Sequence, residues 1–140
     1  MASSSARRGL EDEDASTLTF GPDFQDAACL LNSEVALMLE SRLTNSAPST
    51  QQKGNFLKAY EYVNRVKTFR DRENTTRARA ELDKKKELHG FERVQLGNLC
   101  LDEPDEAMKL IPSLQMNRNQ LDPGELSDLL ATLKSFRQLT

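Results

Sequence analysis

Apolar residues recur at helical spacing along most of the chain after residue 24. Over residues 25–43 this spacing predicts a first helix, with Asn32 or Ser33 as its N-cap. Additional leucines widen the apolar face of the helix beyond the stripe that one neighbour would cover. We therefore expect the helix to bury two surfaces, one against its own domain and the other against a partner.

Further helices are predicted toward the C-terminus. They cover residues 55–69, 74–86, 92–99 and 103–110, and a last helix follows Asp122. The last helix has the clearest start, because Asp122 can cap it, Pro123 suits its first position and Glu125 can complete a capping box. No alternating β-branched run follows residue 24. We therefore predict an all-α fold, with a small helical bundle over residues 56–140.

The residues before the first helix have a different pattern. Leu18 and Phe20 would point the same way in an extended chain, and Gly21-Pro22 ends any regular element. The pattern predicts a short strand, for which two interpretations stay open. The segment either tucks onto its own domain or adds to the sheet of another protein, where backbone hydrogen bonds give affinity.

Two polar segments are predicted to lack fixed structure. Residues 1–17 contain an acidic run and almost no apolar side chain, so burial cannot offset the entropy of ordering them. This segment is predicted to be a disordered acidic tail. Residues 44–55 are rich in Ser, Thr, Asn and Gln and are predicted to be a flexible linker between an N-terminal arm and the bundle.

The charge is unevenly distributed. The net charge of −3 argues against a protein that coats nucleic acid. Residues 64–93, however, hold ten basic and six acidic side chains. Five cations there are candidates to face nucleic acid: Arg70, Arg72, Arg77, Lys84 and Lys85. We favour a solvated face with local ion pairs, because the aromatic residues form no stacking platform. A free-standing helical nucleic-acid-binding module is the alternative function.

The chain carries no recognisable catalytic or metal-binding motif. His89 is the only histidine, has no second ligand nearby, and is better explained as a cap or a solvent-facing residue than as a general base. Cys29 and Cys100 lie beside leucines without metal-ligand spacing and are predicted to be buried thiols. We therefore predict no catalytic residue, no metal and no cofactor. Without a signal-peptide pattern or a long apolar run, we expect a soluble intracellular protein.

Two strings are not explained by generic helix patterns, FERVQLGNLC at 91–100 and EAMKLIPSL at 106–114. Together with LTFGPDF, LLNSEV and the C-terminal leucine helix, their order and spacing resemble the fourth-subunit, or stalk, family of eukaryotic DNA-directed RNA polymerase II. The resemblance extends over residues 11–140. Val66 departs from it, because the family often has an aromatic residue there, and the 44–55 segment carries no family signal.

The resemblance implies a bundle similar to the helicase-and-RNase-D C-terminal fold. It also implies a nuclear, non-catalytic subunit that forms a heterodimer with the seventh subunit. This heterodimer would dock on the core polymerase, which includes the largest subunit, near the RNA exit path. It would support transcription initiation and factor recruitment, could touch nascent RNA, and would need no membrane.

Carried onto this chain, the resemblance makes residues 18–43 a partner-binding strand and helix. The strand anchors would be Leu18, Phe20 and Phe24. The adjoining helix would contribute Leu31, Val35, Met38 and Leu39. The apolar residues of the two strings are expected to build the core, and these are Phe91, Leu96, Leu99, Leu110, Ile111 and Leu114.

Overall fold

The computed structural model describes residues 13–45, 54–115 and 121–137. The helices are α1 (Asn32–Asn45), α2 (Gly54–Val66), α3 (Arg72–Asp83), α4 (Gly90–Leu99), α5 (Pro104–Leu110) and α6 (Pro123–Phe136). Short 3₁₀ helices occupy Ala15–Thr17 and Pro112–Gln115. Within these ranges the structure has no β-sheet, so the predicted all-α class is confirmed.

Side-chain caps explain where several helices begin. The carboxylate of Asp71 accepts a backbone N–H from the first turn of α3 at 2.7 Å. Asp122 caps α6 as predicted, through a 3.2 Å bond from the Gly124 N–H. Asp102, in contrast, does not cap α5. Its carboxylate lies 2.6 Å from the Lys134 ammonium of α6, and this hydrogen bond lowers the pKa of Asp102.

The first helix begins at Asn32, within one residue of the N-cap that the sequence predicted, and residues 25–31 of the predicted region are not helical. Two side chains take the backbone donors that a longer helix would use. The Leu31 N–H donates to the Glu34 carboxylate at 2.8 Å, and the Asn32 N–H donates to the side-chain oxygen of Asn98 at 2.9 Å. Because these donors are satisfied by side chains, the helix has no reason to extend backward.

One hydrophobic core holds the molecule together. Its most buried large side chains are Phe69, Leu31, Leu82, Leu96, Leu126, Leu130 and Leu133. Most of them come from α3, α4 and α6, whereas Leu31 directly precedes α1. Helix α1 also packs against α2, and the Phe69 N–H donates to the buried Ser33 hydroxyl at 2.9 Å. The N-terminal arm therefore shares a core with the bundle.

A glycine permits this close packing. A Cβ on Gly97 of α4 would lie 2.5 Å from Cδ2 of Leu31 and 3.0 Å from Cδ1 of Leu82. The first distance is shorter than real Cβ atoms show and the second is tight, so a side chain at residue 97 would force Leu31 to shift.

The strand predicted at the N-terminal end is not confirmed. A 3₁₀ turn at Ala15–Thr17 precedes the segment, and Thr19 exchanges two backbone hydrogen bonds with Asp14 at 2.8 and 2.9 Å. The structure describes residues 13–17 of the predicted tail, which include this turn, and disorder of the tail stays a prediction. The rest of that tail, and residues 46–53 of the predicted linker, lie outside the described residues.

The two thiols are expected to differ in reactivity. Cys100 is buried, and burial raises its pKa, so little of it is the reactive thiolate near neutral pH. Cys29 is only half-buried, which corrects the prediction that both thiols are buried. In the native protein at pH 8, a thiol-reactive disulfide reagent should therefore modify Cys29 rapidly and Cys100 only on unfolding. A Cys29→Ser variant should lack the fast reaction, and a fast reaction in that variant would contradict the burial of Cys100.

Candidate partner interface

The first two predicted strand anchors pack on the chain's own domain. Leu18 is only 7% exposed. The ring of Phe20 lies against the ring of Phe91, with centroids 4.8 Å apart, and near the His89 ring at 5.8 Å. Of the two interpretations that the sequence left open, this arrangement is the tucked segment. To serve as partner anchors, both side chains would have to leave these contacts.

Other apolar side chains of the arm face outward. Phe24 and Met38 are 68% and 56% exposed, which suits their predicted role as partner contacts. Leu30, which the sequence analysis did not select, is 45% exposed. Adjacent residues in an extended stretch point to opposite sides, so the Leu30-Leu31 pair could have indicated that one of the two faces outward.

The remaining predicted contacts on the helix are less accessible. Leu31 is fully buried, so its assignment to a partner surface is corrected to a core position. The physical reason is the space above Gly97, which accepts its side chain. Val35 and Leu39 are half-buried on α1, with part of each side chain left accessible.

An arginine fixes the extended stretch that joins Phe24 to α1. The Arg79 guanidinium on α3 is hydrogen-bonded to both carboxylate oxygens of Glu34, one of them at 3.1 Å from Nε. It also donates to the carbonyl of Cys29 at 2.9 Å. The hydrogen bond to Glu34 raises the pKa of Arg79 above its already high ordinary value, so the guanidinium stays charged. The sequence analysis missed this contact, whose partners lie 45 positions apart.

The two family-like strings are joined by a buried carboxylate. Glu92 at the start of α4 accepts hydrogen bonds from the His89 N–H and the Ser113 hydroxyl, both at 2.8 Å. Neither Glu92 nor Ser113 is exposed to solvent. His89 caps α4, because its Nδ1 accepts the Phe91 N–H at 3.1 Å. The strings therefore stabilise the fold, and His89 is engaged as a cap.

Not all apolar residues of the strings are in the core. Leu96, Ile111 and Leu114 are buried as expected, but Leu99 and Leu110 are 42% and 56% exposed. These two leucines are the last residues of α4 and α5.

Two of the five candidate nucleic-acid residues are engaged in local ion pairs. Arg77 pairs with Glu73, and Lys84 pairs with Glu81 at 2.8 Å, each within one turn of helix. Lys85 is half-buried. Two remaining cations, Arg70 and Arg72, are exposed beside an open groove of about 450 Å³ along α1. Contact with nucleic acid stays a prediction.

Searches for two further kinds of site were negative. Over residues 13–45, 54–115 and 121–137, no cluster of His, Cys, Asp and Glu has the arrangement needed to hold a metal ion. In the same ranges no helix combines the length and apolar character needed to cross a bilayer.

Comparison with known proteins identifies the family. The model of the family described as RNA polymerase Rpb4 matches residues 29–137. The chain is 32% identical to DNA-directed RNA polymerase II subunit 4 of Arabidopsis thaliana, covering 93% of this chain and 97% of that protein. It is 33% identical to subunit rpb4 of Schizosaccharomyces pombe, covering 94% and 96% respectively. The chain is therefore a member of the RNA polymerase Rpb4 family.

Proposed function

We propose that this chain is a non-catalytic subunit of nuclear DNA-directed RNA polymerase II that forms the stalk heterodimer with the seventh subunit. The named relatives support this proposal, because the chain matches nearly the whole length of proteins called subunit 4 of that polymerase. Because the match extends over a whole subunit, it favours a chain that occupies the same position in the same assembly. A module shared with an unrelated protein would match over only part of the length.

The observation that carries the partner assignment is the exposed apolar surface of the arm. Phe24, Leu30 and Met38 all lie within residues 18–43, and each exposes close to half of its side chain or more. Single exposed apolar side chains are ordinary on protein surfaces, but three within one short segment are candidates for contact with another protein. A partner that covers them would remove apolar area from water, which is the main favourable contribution to association.

Phe24 is the anchor that we place at the centre of the interface. It is the most exposed large apolar residue in the described part of the chain, and aromatic residues are enriched among those that dominate binding energy. Residues 18–20 would lie beside it as a strand added to the sheet of the seventh subunit. Val35, Met38 and Leu39 would contact the same subunit from α1.

The heterodimer would dock near the RNA exit path of the core enzyme and support initiation and factor recruitment. Catalysis would reside in other subunits of the polymerase, and the two strings of this chain meet at the hydrogen bond between Ser113 and Glu92. The helical bundle would position residues 18–43, and these residues would contact the seventh subunit.

Replacing Phe24 by serine is expected to weaken the heterodimer at least about ten-fold while leaving the fold intact. The side chain is exposed, so its loss removes contact area without creating a cavity. The dissociation constant should be measured by calorimetry with purified seventh subunit. Tyr62→Ser is the matched control, because Tyr62 is also an exposed aromatic residue, 52% accessible, but lies on α2 outside the arm. Equal affinities for the two variants would overturn the assignment of Phe24.

A further inference from the structure

The backbone of residues 18–20 is hydrogen-bonded on both edges within the chain. On one edge, Thr19 exchanges backbone bonds with Asp14. On the other, the Gln25 side chain donates to the carbonyl of Leu18 and accepts from the N–H of Phe20, both at 2.9 Å. A segment proposed to add to a partner's sheet is thus already paired on each side.

The Gln25 amide reproduces a peptide group of a neighbouring strand. A primary amide offers one carbonyl oxygen and N–H donors, as the backbone does. In a parallel pair of strands, one residue bonds to the two residues that flank its opposite number. Gln25 makes the same two bonds, to Leu18 and Phe20 on either side of Thr19. Its side chain therefore occupies the position of a strand.

Of the two edges of residues 18–20, the one paired with the Gln25 side chain is the easier to open. The opposite edge is held by paired backbone groups, and the Asp14 carboxylate further ties the turn through the Ser16 N–H at 2.9 Å. The Gln25 edge depends on one exposed side chain.

We propose that the Gln25 amide holds the place of a partner strand, and that an extended backbone of the seventh subunit displaces it to bond Leu18 and Phe20. This inference rests on the proposed function. It specifies that the partner pairs with the edge of residues 18–20 that Gln25 occupies in the free chain. Before displacement the arm is closed. Since only the open arm can pair, the closed form lowers the apparent affinity for the partner.

Gln25→Ala is therefore expected to bind the seventh subunit about five-fold more tightly than the wild type, because two intramolecular bonds no longer compete. In the free chain, the Phe20 amide should exchange with deuterium faster in this variant, and the rest of the protein should exchange unchanged. Gln115→Ala is the matched control. That side chain makes a comparable 2.8 Å bond to the carbonyl of Met108, outside the arm, and its loss should change neither measurement.

The outcomes separate the inference from the proposed function. If the wild-type chain does not bind the seventh subunit at all, the proposed function fails. If the wild type binds and Gln25→Ala binds equally well or more weakly, the place-holding role of Gln25 is overturned. Unchanged exchange at Phe20 would overturn it as well, because the closed contact would then be absent in solution.

Discussion

Replacing Leu31 by alanine is expected to lower the free energy of unfolding by about 2–5 kcal/mol. The leucine is fully buried, and its Cδ2 lies 2.5 Å from where a Cβ on Gly97 would stand. Truncation leaves a cavity at the point where the arm enters the core. Urea unfolding followed by circular dichroism measures the loss. Leu30→Ala is the neighbouring control, since Leu30 is 45% exposed and should cost less than about 1 kcal/mol.

The contact with Gly97 provides a second check on the same prediction. Gly97→Ala alone should destabilise the protein by about 1–3 kcal/mol, because the new methyl group would meet Cδ2 of Leu31 at 2.5 Å. In the Leu31→Ala background that carbon is gone, so the cost of Gly97→Ala should fall. Additive effects of the two substitutions would show that the residues do not touch.

The sequence predicted the helical elements because their signals are local. Asp122 and Pro123 begin α6 where the capping pattern places its start, and this requires nothing from distant residues. The start of α1 lies at the predicted cap position, but part of what fixes it there is distant, because the Leu31 and Asn32 N–H groups donate to Glu34 and Asn98. Asn98 is 66 positions away, so no local pattern could reveal its role.

The candidate interface was less predictable for a different physical reason. Alternation shows that Leu18 and Phe20 share one side of the segment, but it does not show whether the chain's own domain or a partner protein covers that side. In the folded chain the cover for Phe20 is Phe91, far along the sequence. Phe24 shares the same apolar string yet remains exposed, because the turn after Gly21 carries it away from the domain.

Charged residues were the most easily misread. A glutamate or an arginine in a helical pattern is usually assigned to the solvent face. Glu92 is fully buried and Arg79 is largely shielded, because each is paired with groups that arrive from other elements. Burial of a charge can be recognised only when its partners are known, so sequence patterns alone assign such residues to the surface.

Removal of the buried carboxylate is expected to be the most damaging polar substitution. Glu92→Ala should lower the free energy of unfolding by about 3–5 kcal/mol, because the Ser113 hydroxyl and the His89 N–H would lose their acceptor and a cavity would form. Glu92→Gln keeps the shape and one oxygen acceptor, so it should cost about 1–2 kcal/mol. Urea denaturation of both variants measures the difference.

Ser113→Ala completes a double-mutant cycle with Glu92→Gln. The hydroxyl lies 2.8 Å from the carboxylate and is fully buried, so the two substitutions should couple instead of adding. Coupling would establish that the two family-like strings meet through this bond and that their sequence is constrained by the fold. If Glu92→Ala and Glu92→Gln unfold at the same urea concentration, the carboxylate bridges nothing, and the strings would need another explanation, such as direct contact with the polymerase.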